Sequence, residues 1–193
     1  MRRKNFIFLK NVMSVVTVVL LAGTFGYAQR QIFQAQAMGQ GTQMGQTFSI
    51  TINIDEFSTP EDREILFEAF QEDGNRGLVN ALDKMKAKGN IRITGTLGYD
   101  IAFVREIPSE GGRKIRVVTE RPVQFGEAWY QGRSLDYRLS VLELDLNEDE
   151  KKNTGVLMPL VEFKVDKKTH DLVLNLFQNP WTLVNVQDRS KEQ

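Results

Sequence analysis

The stretch richest in groups that could do chemistry is Glu120-Arg121-Pro122-Val123-Gln124-Phe125-Gly126-Glu127-Ala128-Trp129-Tyr130-Gln131-Gly132-Arg133. It mixes charge with aromatics, carries a proline and two glycines, and has no regular apolar period. Such a segment reads as a long loop between strands, and long loops in small domains gather binding residues. Arg121, Glu127, Trp129, Tyr130 and Arg133 are the candidate ligand-binding residues. The two rings offer flat faces for a sugar or another planar ligand, and the charged groups could orient it. The competing structural reading has Phe125 and Trp129 plugging one end of a barrel, with Arg121 and Glu127 pairing locally.

Other constellations are weaker. Glu120, Glu127 and Asp136 are acids near aromatics, and a glycosidase-like hydrolase needs two carboxyls about 5 to 10 Å apart. Nothing in the spacing sets that distance. Asp145, Asn147 and Asp149 have the one-three-five spacing of a calcium loop. The sixth position is Glu150 where glycine is required, and the twelfth is Val156 where glutamate is required, so a solvated acidic turn is expected. His170 sits in a charged turn, Lys167 to Asp171, not in a site for a buried, oriented imidazole. Gly95-Thr96-Leu97-Gly98 precedes no helix and so is no phosphate cradle. There is no cysteine and a single histidine, which removes thiolate nucleophiles, disulfides and two-histidine metal sites. No catalytic residue, metal or cofactor is assigned, and the chain is read as no enzyme.

The elements that must position these groups follow from pattern. Residues 1–28 read as a signal peptide: Arg2, Arg3, Lys4 and Lys10 are basic and Val12 to Ala22 is apolar. Gly26-Tyr27-Ala28 then offers small residues for cleavage after Ala28. That apolar run is about half the ~20 residues a spanning helix needs. Residues 29–46, rich in Gln, Gly, Ala and Met, read as a flexible spacer. Residues 47–187 form one β-rich domain, and residues 188–193 a charged, frayed tail. Lysine plus arginine equals aspartate plus glutamate, 25 of each. Because the four N-terminal cations go with the signal segment, the remainder is mildly acidic and offers no nucleic-acid surface. Membrane contact is expected only through that segment before cleavage.

Within the domain, Phe48, Ile50, Ile52 and Ile54 alternate as one face of a strand. Thr59 is a helix N-cap followed by Pro60 and the acids Glu61 and Asp62. Ile65, Leu66, Ala69 and Phe70 make one helical face. After Asp73-Gly74-Asn75 a second helix follows, with Leu78, Val79, Leu82 and Met85 inward and Gly89 at its C-terminus. Strands at Ile91–Thr94, Tyr99–Glu106 and Lys114–Thr119 come next, the last two joined by a Pro108–Gly112 loop. The organising feature is a ribbon from Arg133 to Asp166. Leu135, Tyr137, Leu139 and Val141 alternate in one phase and Leu142, Leu144 and Leu146 in the other. Val156, Met158 and Leu160 then yield to Val161, Phe163 and Val165. Pairing Leu146 with Thr154 sets Leu142 opposite Met158, Val141 opposite Pro159, Leu139 opposite Val161 and Tyr137 opposite Phe163. Both slips then fall at one height, as in a ribbon that bends once. Leu172, Leu174 and Leu176 fold back onto Val165, Phe163 and Val161, and Thr182 to Val186 is the last strand. The expected fold is α+β, mainly β: an antiparallel β-barrel or two-sheet sandwich of about eight strands, with a helical hairpin inserted after the first strand.

The landmarks Asp62-Arg63, Leu97-Gly98-Tyr99-Asp100, Val118-Thr119-Glu120-Arg121-Pro122-Val123, Glu127-Ala128, Arg133-Ser134-Leu135-Asp136-Tyr137, Val141-Leu142-Glu143-Leu144 and Leu183-Val184-Asn185-Val186 carry a resemblance. Over roughly Ile50 to Val186 the chain resembles a family of uncharacterised exported bacterial proteins. That resemblance implies a bacterial, exported, single-domain protein and brings no activity, cofactor or catalytic residue.

The functional expectation is a non-enzymatic periplasmic or secreted β-rich domain that binds a protein or small-molecule partner or builds the envelope. A lipocalin-like carrier of a small apolar ligand, held among the inward Leu, Phe and Val residues, is the first alternative. The glycosidase-like hydrolase is the second.

Overall fold

Alternation decides most of this structure, because residues two apart share a face and one face must leave water. A computed structural model describes residues 30–123, 139–165 and 172–190. Its elements are β1 (Gln31–Met38), β2 (Thr47–Ile54), α1 (Pro60–Leu82), β3 (Gly89–Ile93), β4 (Tyr99–Ser109), β5 (Gly112–Thr119), β6 (Leu139–Asn147), β7 (Thr154–Val165), β8 (Leu172–Leu176) and β9 (Trp181–Asp188). Each strand from β1 to β7 pairs antiparallel with the next. β9 then joins β7 to β1, closing eight strands into a barrel with β8 as an extra strand on β7. The expectation left barrel and sandwich open; the ring is closed.

The segment read as a spacer is part of that ring. Gln31–Met38 pairs along its whole length with β2 and on its other edge with β9. Phe33, Ala35 and Ala37 point into the interior and are buried, while Gln34, Gln36 and Met38 face out. The inward positions are small because they share the core with large neighbours, among them Trp181, whose ring lies 5.4 Å from that of Phe48. The supposed tail is also anchored. Arg189 N–H donates to the Ile32 carbonyl at 2.7 Å, and Ser190 Oγ accepts from Ile32 N–H at 3.0 Å. Residues 191–193 lie outside the described residues, as does the cleavage point after Ala28.

Two cores result. The interior is filled by side chains such as Phe33, Ile52, Ile91, Val117, Leu144 and Trp181, each with no exposed surface. A second core lies outside the wall, where α1 covers β4 to β7 with Leu66, Leu78, Val79 and Leu82. This second layer accounts for the phase change seen in β6. Leu142, Leu144 and Leu146 face the interior, and Leu139 and Val141 face α1. From Val141 to Leu146 the alternation is unbroken. Its outward residues are apolar under the helix and charged (Glu143, Asp145) beyond it. The slip is real only in β7, where Leu139 opposes Val161 but Val141 opposes Met158. The extra residue falls at Pro159–Leu160, a place where a residue without N–H is tolerated. Leu139 thus faces Val161 as expected, but Thr154 faces Asp145 and not Leu146, and Leu142 faces Leu157 and not Met158. Beyond the bulge the β7–β8 register is the expected one, with Val161, Phe163 and Val165 opposite Leu176, Leu174 and Leu172.

Where a hairpin of two helices was expected there is one helix broken at Asp73 and Gly74. Gly74 has φ 56°, a conformation that glycine adopts without strain. The break delivers Asn75 to β7. Asn75 Nδ2 donates to the Phe163 carbonyl and Oδ1 accepts from Phe163 N–H, both at 2.7 Å. Phe177 N–H donates to the Leu160 carbonyl, so the even residues of β7 face β8 and Phe163 faces away from it. The Asn75 amide therefore caps the β7 edge on the side of β6. Tyr137, expected there, lies outside the described residues. The first half of α1 packs lightly: Leu66 is buried, but Ile65, expected on the inner face, is exposed. Gly89 opens β3 rather than ending a helix, and a Cβ there would meet the Asn53 carbonyl oxygen at 2.0 Å. The β4–β5 hairpin is tighter than expected, with Ser109 paired to Gly112.

The start of α1 is tied to the barrel by charge. Thr59 Oγ1 accepts from Asp62 N–H at 3.2 Å and Asp62 Oδ2 accepts from Thr59 N–H at 2.9 Å, a reciprocal cap. Lys88 Nζ, almost wholly buried, lies 3.2 Å from both Glu56 Oε1 and Asp62 Oδ2. Burial pulls the Lys88 pKa down, but its hydrogen bonds to Asp62 and Glu56 outweigh this and hold it above the ordinary lysine value. The hydrogen bond from Lys88 lowers the Glu56 pKa. The Thr59 N–H, with Lys88, lowers that of Asp62.

Two predictions follow from these anchors. Asn75→Ala orphans both main-chain groups of Phe163 and is expected to destabilise the fold by about 1–3 kcal/mol in urea unfolding. An unchanged unfolding midpoint would show that the clamp contributes nothing. Lys88→Met is expected to cost about 1–2 kcal/mol at neutral pH, a figure kept low because Glu56 is more than a third exposed. Folding holds the carboxyls of Glu56 and Asp62 below their ordinary values of 4.5 and 3.8, so their contribution is complete above those values. It disappears as pH falls through the lower folded values. The gap between wild type and Lys88→Met should therefore narrow in acid, and a gap constant down to about pH 2 would contradict the assignment.

Candidate functional site

Of the candidate binding residues, the structure places Arg121; Glu127, Trp129, Tyr130 and Arg133 lie outside the described residues. Arg121 sits 5.2 Å above the Tyr99 ring centre and donates to the Gly98 carbonyl at 3.1 Å. Its guanidinium is used to hold the start of the loop against the β3–β4 turn. The root of the loop is a buried hydroxyl pair. Ser140 Oγ accepts from Val123 N–H at 2.7 Å and donates to the Pro159 carbonyl at 2.5 Å. Thr119 Oγ1 accepts from Ser140 N–H at 3.2 Å and donates to the Arg121 carbonyl at 2.7 Å. Val123 is thereby held in the interior core. One knot joins the end of β5, the start of β6 and the bulge of β7.

The other candidates resolve simply where they are described. Asn147 N–H donates to Asn153 Oδ1 at 2.7 Å, Asp149 accepts from Lys151 N–H, and Asp145 pairs with Lys114 at 3.4 Å. Asn147 and Asp149 thus satisfy the β6–β7 turn itself, and Asp145 belongs to the β5–β6 pairing. Glu120 is half-buried at the loop root, while its suggested partners Glu127 and Asp136, and His170, lie outside the described residues. Among the described residues no three His, Asp or Glu side chains converge to hold a metal, and no helix is long and apolar enough to cross a membrane.

The most distinctive surface was not singled out from the sequence. No Asp, Glu, Lys or Arg occurs from Gln31 to Ile54 or from Leu172 to Gln187. Ring closure brings these stretches together as β9, β1 and β2, adjacent in that order. Apart from Met38 at the end of β1, their outward residues are mostly amides and hydroxyls, among them Gln34 and Gln36, Ser49 and Thr51, Thr182, Asn185 and Gln187. The wall made by β4, β5 and β6 is the reverse. It carries a cross-strand ladder of Glu106–Arg113 at 2.5 Å, Arg116–Glu143 at 2.6 Å and Lys114–Asp145 at 3.4 Å.

On the neutral wall lies a depression of about 390 Å³, lined by Gln34, Gln36, Ser49, Thr51, Asn185 and Gln187. Its floor is at Ala35 and Ile50, whose side chains point inward. The depression coincides with a bulge. The register of β1 against β9 shifts between Gln34 and Gln36, and Asn185 on the β9 side has φ 53°. Among the described residues it is the non-glycine residue with a left-handed backbone. Asparagine tolerates that conformation best after glycine, and a bulge there re-aims its side chain. Asn185 Nδ2 donates to Gln36 Oε1 at 3.2 Å across the seam. The signal available in the sequence was the charge-free run itself, of which the part within residues 29–46 reads as a flexible spacer and the rest as strands.

The chain matches no protein-family model, no curated protein and no solved structure. Its reading therefore rests on its own geometry.

The hydroxyl knot yields a direct test. Ser140→Ala removes an acceptor from Val123 N–H and a donor from the Pro159 carbonyl, both away from water. Destabilisation of about 1–3 kcal/mol is expected, together with faster hydrogen exchange at Val123. Ser140→Thr, which keeps the hydroxyl, should recover most of the exchange protection; equal loss in both variants would point to packing alone.

Proposed function

We propose that this protein is a non-enzymatic exported β-barrel domain that works by binding, with the neutral β9–β1–β2 wall as its contact surface. The observation that carries this reading is the segregation of charge. In a chain with 26% charged residues, three adjacent strands hold one, Asp188 at the very end of β9, and the opposite wall carries a ladder of cross-strand ion pairs. An uncharged polar surface can give up water to a partner without stranding an ion, which is the largest penalty a contact can meet.

Export is supported by the order basic, apolar, small across residues 1–28. A periplasmic or secreted location and a role in the envelope belong to the same proposal. The carrier reading has less support: an apolar ligand needs a hollow interior, and inward residues such as Phe33, Ile52, Ile91 and Leu144 have no surface left to offer one. The break in α1 keeps the finer expectation of a helical hairpin within the proposal, as a strap over β4 to β7 and away from the neutral wall.

The test is retention. When the chain is expressed with its own N-terminus in a bacterial host, it is expected outside the cytoplasm and sedimenting with envelope fragments. Gln36→Lys with Thr51→Lys should release it, and Lys114→Glu on the opposite wall should not, at matched melting temperatures. Equal retention of all three proteins would refute the neutral wall as the contact surface.

A further inference from the structure

We propose that the depression over Ala35 and Ile50 is a subsite for a neutral, hydroxyl-rich ligand of the oligosaccharide class. The proposal rests on the reading of the neutral wall as a binding surface and names what that surface takes. Six side chains form the rim: Gln34, Gln36, Ser49, Thr51, Asn185 and Gln187. Each is an amide or a hydroxyl, a group that offers donors and acceptors together. A sugar hydroxyl does the same, so the two surfaces can exchange hydrogen bonds in both directions.

The same rim argues against other ligands. A carboxylate or phosphate would shed its hydration and meet no cation among the rim side chains, and the Arg189 guanidinium beside them already donates to Gln187 Oε1. An apolar ligand would leave the rim amides without partners. Among the described residues no aromatic side chain lines the depression, so a nucleobase would find no stacking face there. An extended peptide would need a free strand edge to add to. β1 is bonded to β2 on one side and β9 on the other, and β2 and β9 are likewise paired on both edges. A ligand here must be held by side chains.

The site is also built rather than incidental. Its groups project from strands, which fix their directions better than loops do. The bulge turns Asn185 toward Gln36, and the left-handed backbone at Asn185 is a cost concentrated at the rim of the depression. The volume is near the lower end of the range for small-molecule sites, enough for a few sugar rings. Lacking a stacking platform, each such contact should be weak. Useful affinity would come from a polymer that meets the wall repeatedly.

The experiment is an amide-resolved NMR titration of the full chain with maltohexaose, cellohexaose and chitohexaose. Hexagalacturonate, which carries a carboxylate on each ring, is the charged comparator. Saturable shifts are expected at the main-chain and side-chain amides of Gln34, Gln36, Asn185 and Gln187 with at least one neutral hexamer, and none with hexagalacturonate. Asn185→Gly keeps the backbone conformation but removes the amide. It should weaken binding about tenfold without lowering the melting temperature, and Thr51→Lys should do the same. Absence of saturable shifts with every neutral hexamer up to about 20 mM would overturn the proposal. So would equal binding of hexagalacturonate, or shifts confined to the charged wall. If the hexamers fail while envelope retention still responds to Gln36→Lys with Thr51→Lys, the ligand class is wrong and the neutral wall stands. If retention is unresponsive as well, both readings fall.

Discussion

Everything in this structure depends on β1 filling the gap between β2 and β9. Without it those two strands would each present an open row of N–H and C=O groups, and the interior core would face water through the gap. With it the ring closes, and residues from β2, β3, β5 and β9 bury one another with nothing exposed. The strand that does this is made of glutamine and alanine as much as of large apolar residues. It can be, because alanine at positions 35 and 37 leaves room for the bulk brought by its neighbours, and glutamine at 34 and 36 faces out. Small inward residues beside large ones are how a small barrel fills its bore.

Closure also produces the neutral surface proposed for binding. A polar, charge-free run is unremarkable on a single strand, but β9, β1 and β2 bring two such runs side by side. The seam between β9 and β1 is where the register slips, and the slip leaves Asn185 in its left-handed conformation beside the depression. The wall is thus a consequence of the same pairing that seals the core. On the far side the second core, built by α1 against β4 to β7, uses the outward faces of those strands for packing. The two sides of the barrel differ: one carries a helix and an ion-pair ladder, and the other, among the described residues, is uncovered and nearly free of charge.

Much of this was legible from pattern. The alternation of Phe48 to Ile54, the Thr59 cap, the β7–β8 register and the Leu139–Val161 pair all follow from period-two faces and local hydrogen-bond needs. β1 was missed because composition outweighed period. Phe33, Ala35 and Ala37 do alternate with polar residues, but two of the three are too small to look like core until Trp181 and Phe48 are placed beside them. The apparent slip in β6 was misread for a related reason: a strand covered on both faces loses its polar phase, and only the position of α1 shows which half is covered. The break in α1 was visible as Asp73-Gly74-Asn75, but its purpose was not, since the partner of Asn75 is Phe163, distant in sequence. Of the site first proposed, Arg121 is engaged with Tyr99 and Gly98, and the neutral wall was hidden because it exists only after closure. No single stretch of sequence contains it.

Native-state hydrogen exchange across β1 tests the closure most directly. If Gln31–Met38 completes the ring, the amides of Gln34, Gln36 and Ala37 should exchange only by global opening, with protection within about tenfold of Ile50 and Ile52 in β2. Exchange of those three amides at the rate of an unstructured chain, while β2 remains protected, would mean that the barrel is open at this seam and that the neutral wall does not form.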